Sequence, residues 1–275
     1  MYKQIFMIKL APLFLLIVLA SCSSTENTTE NTNQNIVTPP TNIQYEVVNT
    51  YLHDTSAYTQ GLEFNTNGEL IESTGLRGQS LLHILDTKYS KTNRTIKLSA
   101  SDFGEGTTLF NNKIYQLTWQ EKKVLVYDAK TLKFIQELYW PFEGWGLTHN
   151  DTSLIVSTGE SNLYFVNPST FEIKKTLGVF NNYGYVSNIN ELELIDGKIY
   201  ANIYGQDNII VIDPASGQVI GNLDLTNILS KIGVTKDPKT IDGGYVLNGI
   251  AYNPVKKTII VTGKCWPKLI EIKLK

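Results

Sequence analysis

A five-bladed β-propeller is the fold this sequence predicts, and three observations predict it. One strand–turn–strand–turn–strand unit recurs five times along the chain. Its copies are spaced about 40 to 58 residues apart, which suits four-stranded blades. The last copy lacks a strand that the start of the domain can supply. The clearest copy runs from Phe103 to Leu132. Thr107 to Phe110 is a short apolar strand and Asn111-Asn112 a turn pair. Lys113 to Trp119 then alternates in period two, Gln120 to Lys123 turns again, and Val124 to Tyr127 is an apolar strand ended by Asp128.

The other copies keep this order. Each opens on a polar, glycine or aromatic residue before an apolar one, at Gln60-Gly61-Leu62, Gly104-Glu105-Gly106, Gly144-Trp145-Gly146-Leu147, Asn190-Glu191-Leu192 and Asn248-Gly249-Ile250. Second strands follow, as GELIESTG from Gly68, NKIYQLTW from Asn112, TSLIVSTG from Thr152, GKIYANIY from Gly197 and KTIIVTGK from Lys257. Third strands close in four copies on Asp86, Asp128, Asn167 or Asp213, which is turn chemistry. A fourth strand follows in those copies, at Thr95 to Leu98, Phe134 to Tyr139, Ile173 to Leu177 and Val219 to Leu223. Tyr45 to Leu52 has the length and β content to complete the fifth blade, a closure that removes open sheet edges.

Ahead of the blades, residues 1–21 are expected to be a lipoprotein signal peptide. Lys3 and Lys9 give a basic start, and the apolar run from Leu10 to Ala20 falls short of the roughly 20 residues of a membrane span. Leu19-Ala20-Ser21-Cys22 resembles the bacterial lipobox, in which the cysteine is lipidated after cleavage; the alternative is an ordinary soluble secretory protein cut nearby. Residues 22–42 are polar, include Pro39-Pro40, and are expected to form a disordered tether; residues 43–275 make up the propeller. The expected location is the bacterial cell envelope, with the chain lipid-anchored through Cys22.

Composition narrows the function. The chain is 42% hydrophobic and 18% charged, with net charge −2, and this balance gives no argument for nucleic acid as a partner. Apart from Cys22 the one cysteine is Cys265, expected to be a small apolar residue beside Trp266. His53, His83 and His149 show no metal-ligand spacing, and His83 and His149 are expected to be packing or turn residues, so neither metal nor cofactor is expected. No phosphate loop, nucleophile elbow or paired-cysteine motif appears.

What remains is polar and aromatic residues at strand ends. Inner strands of a propeller converge on its axis, so residues distant in sequence meet in one central pocket. On that geometry the candidates are Gln60, Glu72, Glu105, Gln116, Trp119, Trp145, Asn190, Glu191, Asn202, Tyr204, Asn248, Lys264 and Trp266. Glu72 interrupts Leu70-Ile71, and Lys264 ends the apolar run Ile259-Ile260-Val261; a charge so placed needs a partner or water. For each acid alone, a surface position or a bond to a backbone amide competes with a place in the pocket. Tyr115, Tyr127, Phe165 and Tyr200 are expected in the core, Trp119 and Trp145 on the pocket.

Several of these residues lie in runs that resemble the plant and bacterial glutamine cyclotransferases. They include Tyr58-Thr59-Gln60-Gly61-Leu62, Glu72-Ser73-Thr74-Gly75, Phe103-Gly104-Glu105-Gly106, Gln116-Leu117-Thr118-Trp119, Glu143-Gly144-Trp145-Gly146-Leu147, Asn190-Glu191-Leu192-Glu193, Ala201-Asn202-Ile203, Leu247-Asn248-Gly249-Ile250-Ala251 and Thr262-Gly263-Lys264 with Trp266-Pro267. The resemblance covers Tyr45 to Lys275 with the runs in order. It implies a five-bladed propeller that closes an N-terminal glutamine into pyroglutamate and releases ammonia, unlike the zinc-dependent animal enzymes. Tyr204 stands where relatives carry tryptophan, which keeps aromatic stacking and loses an indole donor. Leu229 to Val246 reads as a variable insertion.

The chemistry such a reaction needs can be derived separately. The α-amine must attack its own γ-carboxamide, so holding one conformer supplies several kcal/mol. A proton must leave the amine and reach the departing nitrogen, work worth typically about 10²–10⁴-fold from a positioned acid–base group. A carboxyl group buried beside tryptophan has a suitably raised pKa. Glu105 or Glu72 is the expected shuttle, Glu105 favoured by its flanking glycines; the other holds the substrate ammonium. Lys264, a tryptophan indole or an asparagine amide stabilises the oxyanion, while Trp119, Trp145 and Trp266 exclude water.

Two other classes stay open on the residues: a non-catalytic surface propeller binding a peptide or sugar, and a metal-dependent lactonase-like propeller using Glu72, Glu105, Asn190 and Asn248. The expected partners are peptides or proteins with N-terminal glutamine and, through Cys22, a membrane; no nucleic acid is expected, and the chain is expected to be a monomer.

Overall fold

The innermost strand of each sheet explains why the unit opens as it does. The computed structural model describes residues 37–86, 91–235 and 245–275, and its strands form five sheets arranged as blades around an axis. Their innermost strands are Thr59–Phe64, Gly104–Phe110, Leu147–His149, Ile189–Ile195 and Leu247–Asn253. Each packs against the next, and the last returns to the first. In four of the five, the ladder to the second strand is broken by a register shift, at Thr59/Gly61, Gly104/Thr107, Ile189/Leu192 and Leu247/Ile250. A bulge of this kind bends the strand and redirects its side chains. Gln60, Glu105, Asn190 and Asn248 all lie within these breaks. The glycines beside them permit the close approach. A Cβ on Gly61 would lie 2.5 Å from the Thr107 nitrogen, and one on Gly106 would lie 2.6 Å from the Leu147 nitrogen.

An innermost strand has no ladder partner on its axial side, so its N–H groups need other acceptors. Carboxylates from other blades supply them. Glu191 accepts from the Leu62 and Ile250 N–H groups at 3.2 and 2.9 Å, Glu193 from Tyr252 at 2.8 Å, and Glu63 from Leu109 at 2.8 Å. The recurring acids of the inner strands therefore stitch the blades together along the axis.

Away from the axis the blades follow the expected order. The second strands are buried on both faces, as at Lys113–Thr118, because each blade is packed between two others. The outer ones show half-exposed alternation, as at Phe134–Tyr139. The apolar residues gather in five clusters, each between adjacent blades; Leu62 and Leu70 of the first, for example, meet Ala251, Ile260 and Leu269 of the fifth. Tyr115, Tyr127, Phe165 and Tyr200 are buried there as expected. Asn111-Asn112 turns with both φ angles positive, at 50° and 60°, the conformation a two-residue hairpin requires. Asp128 accepts from the Thr131 N–H at 2.7 Å, and Asp213 from the Ser216 hydroxyl at 2.7 Å, which is the turn chemistry their positions suggested.

Tyr45–Leu52 is the outer strand of the fifth blade, antiparallel to Lys268–Leu274 from Tyr45↔Leu274 to Leu52↔Lys268. The ring closes as the repeat count required. Three elements were not foreseen. Thr41–Asn42, in the stretch that composition assigns to the tether, pairs in parallel with Val219–Asp224 through backbone bonds, to which side-chain polarity is blind. A hairpin of Phe180–Asn181 with Gly184–Tyr185 extends the connection from the third blade to the fourth. Within the insertion, a short helix at Ile228–Lys231 buries Ile228 and Leu229 in the core between the fourth and fifth blades. The segments expected as signal peptide and lipidation site, most of the expected tether, and residues 236–244 of the insertion lie outside the described residues.

Candidate active site

The pocket sits where the bulged starts of the inner strands meet the ends of the second strands. It is a cavity of about 260 Å³ lined by Tyr58, Gln60, Phe103, Glu105, Trp119, Trp145, Asn190, Tyr204 and Lys264. Chain segments from all five blades contribute, which is why no short motif could contain the site.

Glu105 is its one buried acid, 4% exposed. The Gln60 side-chain amide donates to its carboxylate at 3.1 Å, and the Ser73 hydroxyl donates to its backbone carbonyl. Burial drives its pKa well above the usual carboxylate range; Lys264 opposes that shift, and the charges of Glu143 and Glu121 add to it. Lys264 is fully buried, and burial lowers its pKa to about 8 against the pull of Glu105. Its ammonium donates to the Gln60 side-chain oxygen and lies 4.4 Å from the Tyr58 ring centroid and 5.9 Å from that of Tyr204. Gln60 is thus the bridge between acid and cation. Asn190 adds a buried side-chain oxygen that makes no hydrogen bond.

Aromatic rings form the walls. Phe103 meets Trp119 edge-on with centroids 5.5 Å apart, and Trp145 meets Tyr204 at 5.8 Å. The Glu143 carboxylate fixes both tryptophans, accepting from the Trp119 indole at 2.7 Å and the Trp145 indole at 3.2 Å. Burial would raise the Glu143 pKa, but these bonds and one from Gln120 hold it below normal. Arg77 lies over the Trp119 ring at 5.4 Å while pairing with Glu121 at 2.7 Å.

The structure brings Gln60, Glu105, Trp119, Trp145, Asn190, Tyr204 and Lys264 together and sets the other candidates behind the wall. Glu72 is the main correction. Its fully buried carboxylate is enclosed by Thr59 at 2.6 Å, His53 at 2.9 Å and His83 at 2.7 Å, away from the cavity and out of reach of a substrate ammonium. Burial alone would raise its pKa, but the two histidines pull it far down, which suits a structural anion and not a proton shuttle. Gln116 donates to Ser73 at 2.8 Å and so supports Glu105 from the next layer. Asn202 accepts from the Gly249 N–H at 2.9 Å, and Asn248 donates to the Thr59 carbonyl at 3.0 Å. Glu191 belongs to the axial stitching. Trp266, 1% exposed, packs in the core between the fourth and fifth blades, so Tyr204 encloses the pocket in its place.

Tyr58, Phe103 and Glu143 are site residues that sequence reasoning quoted but did not single out. Tyr58 and Phe103 immediately precede inner strands, and that position was the available signal. Glu143 takes both indole N–H groups, so neither Trp119 nor Trp145 has its indole donor free toward the cavity, whereas Lys264 and Asn190 both line it. Among the described residues, no cluster of three or more His, Cys, Asp or Glu side chains is arranged to hold a metal.

Comparison with known proteins agrees with this geometry. Residues 13–274 match the family model described as glutamine cyclotransferase. The chain is 37% identical over 237 residues to a glutaminyl-peptide cyclotransferase of Arabidopsis thaliana, an alignment covering 84% of this chain and 72% of that one. It is also similar to the crystal structure of Myxococcus xanthus glutaminyl cyclase, with a TM-score of 0.77 and 33% identity, over 86% of this chain and 98% of that one.

Proposed function

This chain belongs to the glutamine cyclotransferase family, and on that premise we propose that it converts the N-terminal glutamine of peptides or proteins to pyroglutamate, with release of ammonia, by acid–base chemistry in the central pocket. The observation that carries the mechanism is Glu105, buried under aromatic rings and bridged by Gln60 to Lys264.

The glutamine side chain lies between the Trp119 and Trp145 walls, and its backbone leaves by the mouth. Confinement holds the α-amine against the γ-carbonyl, replacing an encounter by one bound conformer. An α-ammonium has a pKa of about 8, so the substrate reaches its neutral amine by releasing one proton to water; the Glu105 carboxylate, its pKa raised, is matched to receive the second, which the nitrogen loses as it bonds to carbon. As the amine adds to the carbonyl carbon, charge develops on the oxygen; the Lys264 ammonium and the Asn190 side-chain N–H are its donors in this reading. The tetrahedral intermediate then breaks its bond to the side-chain nitrogen. Glu105 returns its proton to that nitrogen, and ammonia departs. The aromatic walls keep water from the same carbon, which favours ring closure over hydrolysis to glutamate. A single carboxylate paired with an ammonium is a donor set for proton transfer, and we read the reaction as metal-independent.

The same reading places the enzyme as a monomer on the cell envelope, held by lipid on Cys22; its support is the Leu19–Cys22 lipobox resemblance and a ring that closes on its own N-terminal strand. Partition of the full chain into detergent, lost in Cys22→Ala, tests the anchor.

The activity is tested by incubating the full chain, with and without EDTA, with a short Gln-initiated peptide and weighing the product. Loss of one ammonia faster than the spontaneous rate in both arms supports the proposal. Loss in neither arm sinks it, and loss only without EDTA sinks the metal-independent mechanism.

A further inference from the structure

The buried His53–Glu72 pair stands behind the pocket wall, and its hydrogen bonds fix how many protons it carries. His53 follows the closing strand Tyr45–Leu52. Its side chain is 2% exposed and that of Glu72 1%. His53 Nδ1 lies 2.8 Å from the Trp266 carbonyl oxygen and Nε2 lies 2.9 Å from Glu72 Oε1. A carbonyl oxygen only accepts, and a neutral imidazole carries a single N–H. Both contacts are made at once only if a proton lies on each ring nitrogen, or if one sits on Glu72 itself. Glu72 already accepts from the Thr59 hydroxyl at 2.6 Å and from His83 at 2.7 Å, and three donors around one carboxylate favour its ionised form. The proton therefore belongs to His53.

What this cation holds is the turn that carries Lys264. Cys265 has φ of 60°, a left-handed conformation uncommon outside glycine, and this kink sends Lys264 into the pocket and Trp266 into the core. The strained turn is fastened at successive points. The Cys265 N–H bonds the Ala57 carbonyl at 2.8 Å, the His53 ring bonds Trp266, and the His53 N–H bonds the Pro267 carbonyl at 3.0 Å. On its other side Glu72 holds Thr59, whose carbonyl accepts from Lys264 at 3.4 Å.

We propose that His53, kept as an imidazolium by Glu72, is a positioning residue for the reaction, clamping the Lys264–Pro267 turn to the Ala57–Gln60 strand start so that the Lys264 ammonium stays over the pocket. The proposal rests on the cyclotransferase reading of that pocket. The titratable groups facing the clamp are Glu72, His83 beyond it, Asp54 next in the chain, and Cys265 and Lys264 of the turn. Burial disfavours the imidazolium, but Glu72 outweighs burial and raises the His53 pKa above its ordinary 6.5. The clamp is accordingly released as pH rises through that raised value.

Two variants separate charge from packing. Glu72→Gln keeps the shape and offers an amide N–H to Nε2, so it satisfies a neutral His53. His53→Gln removes the ring. Nitrogen NMR of the full chain, with three histidines to assign, reads the protonation directly. Turnover of a Gln-initiated dipeptide amide reads the positioning. The expected results are a doubly protonated His53 at pH 7.5 in the wild type and a neutral one in Glu72→Gln. In His53→Gln, kcat falls about ten- to hundred-fold with KM little changed. A neutral His53 in the wild type overturns the proposal, as does wild-type kcat in both variants. Absence of wild-type turnover would instead count against the cyclotransferase reading, and the NMR result, independent of turnover, would still decide the charge of the pair.

Discussion

Gln60 donates its side-chain amide to Glu105 at 3.1 Å while its carbonyl oxygen accepts from Lys264. One amide thus reports the state of both charged groups, and its orientation is fixed, because the oxygen must face the ammonium and the nitrogen the carboxylate. Glu105→Gln keeps the volume and removes the proton acceptor. It is expected to fold normally and to lower kcat by about 10²–10⁴, as measured by ammonia release. Gln60→Met, which breaks the bridge without emptying the site, should lower kcat less.

The same pair sets the pH dependence. Glu105 acts as a carboxylate, so kcat rises with pH through its raised pKa; Lys264 acts as an ammonium, so kcat falls as pH passes its value of about 8. A bell-shaped profile is expected. Lys264→Arg cannot lose its charge in the accessible range. Whatever activity it retains should therefore lack the alkaline limb, and a limb unchanged in that variant would show that another group titrates there.

Glu143 touches no reacting atom in this scheme, yet it holds both tryptophan indoles. Glu143→Ala frees Trp119 and Trp145 to move. Because this residue is only partly buried, the net worth of its bonds is about 1 kcal/mol, roughly a five-fold rise in KM with kcat little altered. Steady-state kinetics decides it: a fall in kcat with KM unchanged would place Glu143 in the chemistry.

Much of this was legible from local pattern. Five repeats, the turn residues and the spare strand Tyr45–Leu52 required only local sequence, and they gave the fold and the ring closure. The site was legible as a set of strand-end residues, because the bulges holding Gln60 and Glu105 leave a polar–glycine signature and the one holding Asn190 a polar pair. Which residues face the axis was not legible. Glu72 and Glu105 look alike in sequence, and what separates them is contact with His53 and His83 for one and with Gln60 and Lys264 for the other. Trp266 leaves the pocket for a similar reason, since the φ of Cys265 decides which way the chain turns. Thr41–Asn42 pairs through its backbone, which composition does not record.

The axial acids predict how stability changes with pH. Burial raises the pKa of Glu63 to about 7 from an ordinary 4.5, against its bonds from Thr108 and Leu109. The folded chain thus retains a proton that the unfolded chain releases, and this group's stabilisation, complete below about pH 4.5, is lost as pH rises to about 7. Glu63→Gln keeps the acceptor for the Leu109 N–H and removes the titration. Its stability relative to wild type should improve between pH 5 and pH 8 by on the order of 3 kcal/mol. Urea unfolding at the two pH values measures the difference, and an equal effect at both would mean that Glu63 is ionised throughout.

Glycines at the axis predict a cost that is steric. A Cβ on Gly106 would lie 2.6 Å from the Leu147 nitrogen and 2.7 Å from the Trp145 oxygen, both backbone atoms of the next inner strand. No flexible side chain is available to yield, so Gly106→Ala must push two blades apart. Gly68 is the matched control: its φ is 77° with nothing within 4 Å of an added Cβ, so Gly68→Ala meets only conformational strain. Overpacking is expected to cost about 1–3 kcal/mol at Gly106, and about 1 kcal/mol at Gly68. Activity separates them further. Displacing Gly106 moves its neighbour Glu105 away from Gln60, so the folded fraction of Gly106→Ala should lose turnover while Gly68→Ala retains it. If thermal unfolding and kcat of Gly106→Ala both matched those of the Gly68 control, the inner strands would not be as close as the axis geometry requires.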